Sequence, residues 1–207
     1  MKKILHIIAT PRGQASRTLR VSQAVLKRFA ERHPGVETDT LNLFAETLPP
    51  MTVAVTQGKY TLMSGASLTG TLQEAWRSIE TQIERFKAAD AYVVSAPMWN
   101  FSCPYVLKHY IDVIVQPGYL FQYTPTGVEG LLKGKRMVVV TSRGGDYGPA
   151  SPARAMDHLE PYLRAVFGFC GVGPIDFINA QPMDAAGPQV RDQKLTEAIG
   201  RARGLIF

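Results

Sequence analysis

Three short stretches of the 207-residue chain carry residue types able to do chemistry, and each follows an apolar run. The first is Thr10-Pro-Arg-Gly-Gln-Ala-Ser-Arg-Thr18, with hydroxyls at 10, 16 and 18 and guanidinium groups at 12 and 17. A loop that opens a helix suits a phosphate, because the first turn leaves N–H groups free and carries partial positive charge. Ser16 stands where an N-cap belongs, so its hydroxyl can serve the helix or an anion equally well. The loop is neither a Walker A motif nor G-x-G-x-x-G, which points to a monophosphate rather than a pyrophosphate or triphosphate. The second stretch is Ser95-Ala-Pro-Met-Trp-Asn-Phe-Ser-Cys-Pro104. Pro97 and Pro104 stiffen it and remove two backbone donors, leaving the N–H groups of Met98 to Phe101 as candidates to face a ligand. Trp99 and Phe101 offer flat apolar surface on either side of Asn100, which suits a planar heteroaromatic ring with polar edges. The third is Ser142-Arg-Gly-Gly-Asp146, where a glycine pair permits positive φ and close backbone approach to a ring. Each stretch also has a plainer reading: a capped helix start, a helix-entry loop whose aromatics fill core, and a tight turn.

The elements that must position these loops are legible from periodicity. Lys3–Ala9, Asp90–Ser95 and Arg136–Ser142 are near-continuous apolar runs, the mark of strands buried on both faces. His6, inside the first run, reads as a core or strand-end histidine. Val36–Leu43 alternates as an edge strand would, and Pro174–Asn179 reads as the last strand. Helices are expected at Leu19–Arg32, Thr71–Lys87 with Trp76 in the core, Tyr105 to about Val115, about 153–167 starting after Ser151-Pro152, and about Gln189–Arg203. Between Phe44 and Gly70 lies a long excursion with a weak helical signal from Thr52 to Ser64. It reads as a lid, a subunit contact or a mobile segment. The aromatic-rich Tyr119–Gly130 looks like a small hairpin or flap beside the site.

This alternation implies an α/β fold, a parallel sheet with helices on both faces and right-handed connections. The chain is long enough for one well-cored domain spanning residues 1–207. In a sheet ordered 2-1-3-4-5 the loops after the first, third and fourth sheet strands would converge at the topological switch point. One loop suits a phosphate and two suit a ring, so the convergence points to a mononucleotide with a ring such as flavin.

Composition narrows the function classes. The net charge is +6 and the pI near 9.4, but Lys and Arg are scattered without a run of five or six. That favours anionic small molecules over nucleic acid. Cys103 and Cys170 form neither a disulfide framework nor a zinc pattern, and no metal site is expected. They fit a reducing compartment. The basic N-terminal start is followed by an apolar run too short for a signal segment, and no run approaches membrane-spanning length. A cytoplasmic protein without membrane or nucleic-acid partners is the expectation. A Ser-based hydrolase using Ser16 or Ser142 lacks the Gly-x-Ser-x-Gly elbow and an assignable histidine.

With Thr10-Pro-Arg and Ser16-Arg-Thr18, Pro97-Met-Trp-Asn-Phe101, Gly127-Val-Glu-Gly-Leu131 and Ser142-Arg-Gly-Gly145, the chain resembles the FMN-dependent NADH:azoreductase family, flavodoxin-like quinone reductases of bacteria. The resemblance covers nearly the whole chain and implies a flavodoxin-like three-layer sandwich, a five-stranded parallel sheet of order 2-1-3-4-5 with helices on both faces. Its one visible departure is Thr10, where serine is usual; the hydroxyl is kept. It implies FMN held by Thr10, Ser16, Arg17 and Thr18 at the phosphate. Met98, Trp99, Asn100 and Phe101 would lie along the isoalloxazine edge, and Ser142, Arg143, Gly144 and Gly145 would complete the flavin site. It implies NADH or NADPH as reductant, a quinone or azo compound as acceptor, and ping-pong hydride transfer through the flavin, with no protein residue as catalyst. It also implies a homodimer with active sites at the interface, in which Tyr123 and Phe169 line the substrate side. Asn100 is a further candidate to orient the acceptor. A redox role for Cys103 is disfavoured, since a free cysteine is more often a small buried hydrophobe. The alternative is a flavodoxin-like FMN electron carrier acting with a protein partner, although such carriers tend to be acidic.

Overall fold

The computed structural model describes residues 1–206. Its strands are β1 (Lys3–Ile8), β2 (Glu37–Asn42), β3 (Ala91–Ser95), β4 (Phe121–Thr124), β5 (Gly127–Gly130), β6 (Arg136–Ser142) and β7 (Ile175–Ala180). Its helices are α1 (Arg17–Arg32), α2 (Val53–Met63), α3 (Gly70–Lys87), α4 (Tyr105–Ile114), α5 (Glu160–Phe169) and α6 (Gly187–Arg203). Five strands pair in parallel in the order β2-β1-β3-β6-β7, and β4 and β5 form a separate antiparallel hairpin. With the hairpin set aside, this is the expected 2-1-3-4-5 order. Central β3 is buried along its whole length, whereas edge strand β2 is largely open.

The pleat sorts side chains onto two cores, because successive residues point to opposite faces. Ile4, Val93, Val138 and Val140 pack with Val21, Val25 and Phe29 of α1 and Leu195, Ala198 and Ala202 of α6. Leu5, Ile7, Tyr92, Val94 and Val139 face the other way, toward α3, α4 and α5. Phe86 stacks on Tyr92 at 4.2 Å between ring centres, and each fully buried aromatic contributes roughly 1.5–3 kcal/mol. Trp76 is buried as expected.

The long excursion folds around α2. Thr52 caps that helix by accepting from the Val55 N–H, and Gly58 lets the helix pass close to the Trp76 ring. Arg85 fastens the start of the excursion with ion pairs to Asp39 and Glu46.

One helix departs from expectation. Residues 153–167 do not form a single helix; a short 3-10 turn at Arg154–Met156 precedes α5, which begins at Glu160. Asp157 is the reason. Its Oδ1 accepts from the N–H groups of Leu159 and Glu160, which starts the helix after it rather than before it. Pro161 then fixes the first turn.

Candidate functional site

The sequence places polar loops at the C-terminal ends of β1, β3 and β6, and parallel pairing of these strands brings the loops together. They surround a cavity of about 210 Å³ lined by Thr10, Arg12, Ser16, Arg17, Thr18, Pro97, Met98, Trp99, Ser142, Arg143, Gly144, Met183 and Asp184. Nine of the twelve predicted cofactor residues line it, sorted by type: hydroxyls and cations at one end, the Met98–Trp99 edge and the Ser142–Gly144 turn at the other. Asn100, Phe101 and Gly145 adjoin that lining in sequence. Gln116, Tyr119 and the hairpin lie elsewhere.

At the first end, Ser16 both caps and lines. Its Oγ accepts from the Leu19 N–H at 3.3 Å, and its own N–H is taken by the Gly13 carbonyl. The N–H groups of Arg17 and Thr18 have no protein acceptor, so the free donors of α1 point where a phosphate would find them. Thr18 Oγ1 shares a 2.8 Å hydrogen bond with Ser142 Oγ, joining the first loop to the third. Arg17 donates to Asp184 at 2.7 Å and to the Met183 carbonyl at 3.3 Å.

Beneath this end runs a chain of buried hydroxyls. Ser22 donates to the Thr18 carbonyl and bonds Ser95 Oγ at 2.6 Å, and Ser95 meets His6 Nε2 at 2.8 Å. His6 is therefore the core histidine expected. Burial pushes its pKa down to about 4, so the ring is neutral. Ser95 is itself fully buried and open to no substrate.

The second loop corrects one expectation. Met98 N–H donates to the Ser142 carbonyl and Trp99 N–H to the Ser102 carbonyl, so only the N–H groups of Asn100 and Phe101 remain free. Those two residues adopt φ of 47° and 70°. The left-handed region is uncommon for asparagine and rare for phenylalanine, and it turns both N–H groups away from the local hydrogen-bond ladder. Trp99 is braced from the side by Phe44, 6.0 Å between ring centres.

The third loop corrects another. Gly144 and Gly145 do not take positive φ. Their N–H groups have no protein acceptor, while the Gly144 carbonyl accepts from Asp184 and Ala185. The glycines thus supply bare donors rather than an unusual turn. Arg143 lines the cavity, yet its guanidinium is buried in a network: Nη1 donates to Asp157 at 2.7 Å, and Nε donates to Thr141 Oγ1 at 3.0 Å.

Tyr123 and Phe169 do not line this cavity. They flank Phe121 in a separate aromatic cluster, 65% and 41% exposed. The hairpin that carries Tyr123 meets the end of α5 backbone to backbone at Gly130 and Gly171. Cys103 is half-buried, and burial raises its thiol pKa; burial also pushes Cys170 up to about 12. Neither is poised as a thiolate.

Sequence reasoning missed Met183 and Asp184, which follow β7. The rule that ligands gather at strand C-termini applies to β7 as well and could have found them. It also missed Asp157, although an Asp followed by Glu160 and Pro161 is a local helix-start signal that the Ser151-Pro152 pair obscured.

Comparison with known proteins agrees with this architecture. The family model described as "Flavodoxin-like fold" matches residues 2–205. An FMN-dependent NADH:quinone oxidoreductase of Nitratidesulfovibrio vulgaris is 37% identical over 207 residues, covering 100% of this chain and 99% of that protein. A protein of the same name from Rhizobium meliloti is 40% identical over 199 residues, covering 95% and 93%. Among solved structures, an FMN-dependent NADH-azoreductase from Bacillus anthracis in complex with FMN superposes with a TM-score of 0.84 at 29% identity, covering 98% of each chain. Fold, loop chemistry and similarity over the full length agree: the chain belongs to the flavodoxin-like family whose curated members carry the name FMN-dependent NADH:quinone oxidoreductase.

Proposed function

We propose that this chain works as one FMN-binding domain that catalyses two-electron reduction of quinones and azo compounds with NADH or NADPH. The observation that carries the reading is a single cavity lined by all three polar loops, with the unpaired backbone donors of Arg17, Thr18 and Gly144 in its lining and those of Asn100, Phe101 and Gly145 next to it in sequence. Backbone N–H groups left bare at a helix N-terminus and at two strand ends are costly unless a ligand or water accepts from them. Their division matches FMN, with a phosphate at one end and a ring bearing polar edges at the other.

Thr10, Ser16, Arg17 and Thr18 would hold the phosphate, with Arg12 adding charge. Met98 and Trp99 would offer apolar surface to the ring, while Asn100, Phe101, Ser142, Gly144 and Gly145 would meet its polar edge. The bound flavin supplies hydride acceptance and donation. The protein would hold the ring, with Met98 and Trp99 supplying apolar surface against it, and reductant and acceptor would use the one site in turn. The order is ping-pong, with no protein nucleophile.

We further propose a homodimer with its sites at the interface. Trp99, Phe101 and Tyr105 are exposed apolar residues beside the cavity. A second copy covering them would remove that surface from water and bring Tyr123 and Phe169 to the substrate side. The free Cys103 and Cys170 accord with a cytoplasmic setting, and no described helix is long and apolar enough to cross a membrane.

Initial-rate kinetics with NADH and menadione, at several fixed concentrations of each, test the reading. Parallel double-reciprocal lines are expected after loading with FMN. A protein that oxidises NADH only when a second protein is supplied is instead an electron carrier.

A further inference from the structure

The two ring-facing loops are held by two adjacent residues, Asp157 and His158, neither of which lines the cavity. Asp157 is 5% exposed and lies between β6 and α5. Its Oδ2 accepts from Arg143 Nη1 at 2.7 Å, an ion pair whose two side chains are 0% and 1% exposed. Arg143 sits between Ser142 and Gly144, so this bond fixes the loop that bears the free Gly144 and Gly145 donors. The next residue holds the other loop: His158 N–H donates to the Phe101 carbonyl at 2.9 Å. Phe101 is one of the two left-handed residues, and its carbonyl bond is a restraint that keeps the turn there. Asp157 Oδ1 meanwhile anchors the pair to the start of α5.

We propose that Asp157, with His158 N–H, is the positioning element of the flavin site, resting on the FMN reading above. It sets the spacing between the free donors of Asn100 and Phe101 and those of Gly144 and Gly145. Two sets of backbone donors facing one ring must be held to within about half an ångström to bond it at once. Chain connectivity does not supply that precision, because 42 residues lie between Phe101 and Gly144 and each loop ends a different strand. The arrangement has a second link, Met98 N–H to the Ser142 carbonyl at 2.9 Å, which joins the loop bases but not their tips. Gln181 adds support on the third loop by accepting from Tyr147 N–H at 3.3 Å. The adjacent Asp157 and His158 together reach both tips by hydrogen bonds, beside one ring contact between Phe101 and Tyr147 at 6.4 Å between centres.

A simple capping residue would leave the flavin's properties unchanged once the fold is restored. A positioning residue would not. Asp157→Asn alone would leave the buried Arg143 with only its longer 3.6 Å pair to Glu160, so the informative variant is the double Arg143→Met, Asp157→Asn. It removes both charges, keeps the acceptor that caps α5, and deletes the tether; replacing a buried ion pair by apolar volume is often neutral for folding. The second variant is His158→Pro. It removes the donor to Phe101, carries an exposed side chain, and follows an Asp157 whose extended backbone suits a residue before proline.

Each purified protein would be stripped of flavin, checked by circular dichroism and thermal unfolding, and titrated with FMN by fluorescence quenching. The midpoint potential of bound flavin would be measured by dye equilibration. The account expects native-like apo spectra, an FMN Kd at least tenfold weaker and a shifted potential in both variants. Wild-type Kd and potential in either folded variant overturn it and leave Asp157 as a helix cap only. If the double variant does not fold, His158→Pro decides by the same readings. A wild-type chain that binds no FMN overturns the cofactor reading, and this proposal falls with it; wild-type binding with unaffected variants overturns this proposal alone.

Discussion

Arg17 reaches the mouth of the phosphate end already paired: its guanidinium donates to Asp184 at 2.7 Å, and both residues line the same cavity. A carboxylate beside an anion site opposes the anion it is meant to admit. Asp184→Asn keeps a hydrogen-bond acceptor for Arg17 and removes the charge. Exposed charges of this kind are worth about 0.2–1 kcal/mol, so FMN binding should tighten by roughly 1.4- to fivefold, more at low salt. Titration at two ionic strengths checks this; unchanged or weaker binding would mean the carboxylate orients Arg17 more than it repels phosphate.

Gly130 offers a way to separate cofactor from acceptor. A Cβ there would lie 2.2 Å from Gly171 N and 2.4 Å from the Cys170 carbonyl carbon, so Gly130→Ala forces the hairpin off the end of α5. Neither residue lines the FMN cavity. The expected outcome is a raised acceptor KM with FMN Kd unchanged, and a stability loss of roughly 1–3 kcal/mol. An unchanged KM would remove Tyr123 and Phe169 from the substrate side.

Ser16 tests the double use of a cap. Ser16→Ala removes the acceptor for Leu19 N–H and should cost about 1 kcal/mol of apo stability. It should also weaken FMN retention, because the same hydroxyl lines the phosphate end. Loss of stability without loss of FMN affinity would confine Ser16 to capping.

The His6 hydroxyl chain predicts a pH window. The ring has an ordinary pKa of 6.5 and is pushed to about 4 by burial, so the unfolded chain takes up a proton that the folded one refuses. Stability is therefore full above pH 6.5 and falls as pH drops toward 4, by about 3 kcal/mol in all. Asp39 is held below its ordinary 3.8, first by its hydrogen bond to Arg85, and its contribution is lost only at still lower pH. Urea unfolding of the apo protein between pH 7 and 4 measures the first loss, and His6→Asn should flatten the slope. A slope unchanged by that substitution would assign it to other groups.

How far the sequence could be read follows from where each signal is stored. The apolar runs at β1, β3 and β6 and the polar loops after them are local, so the sheet order and the convergence at Thr10, Met98 and Ser142 were legible. The hairpin at Phe121–Gly130 was visible from its turn residues. What failed was long-range. Ser151-Pro152 has the form of a helix start, but Asp157, paired with Arg143 across 14 residues, captures the N-terminus of α5 instead. The glycines at 144 and 145 suggested positive φ, yet tertiary restraint put it on Asn100 and Phe101. Asp184 was invisible because its meaning depends on Arg17, 167 residues away.

The central claim is tested most directly by the visible absorption spectrum of the FMN-loaded protein under anaerobic conditions. The account predicts a flavin spectrum that bleaches on adding NADH and recovers fully on adding menadione, with no other protein present. A protein that takes up no FMN, or one whose flavin stays oxidised in excess NADH and NADPH, would contradict it.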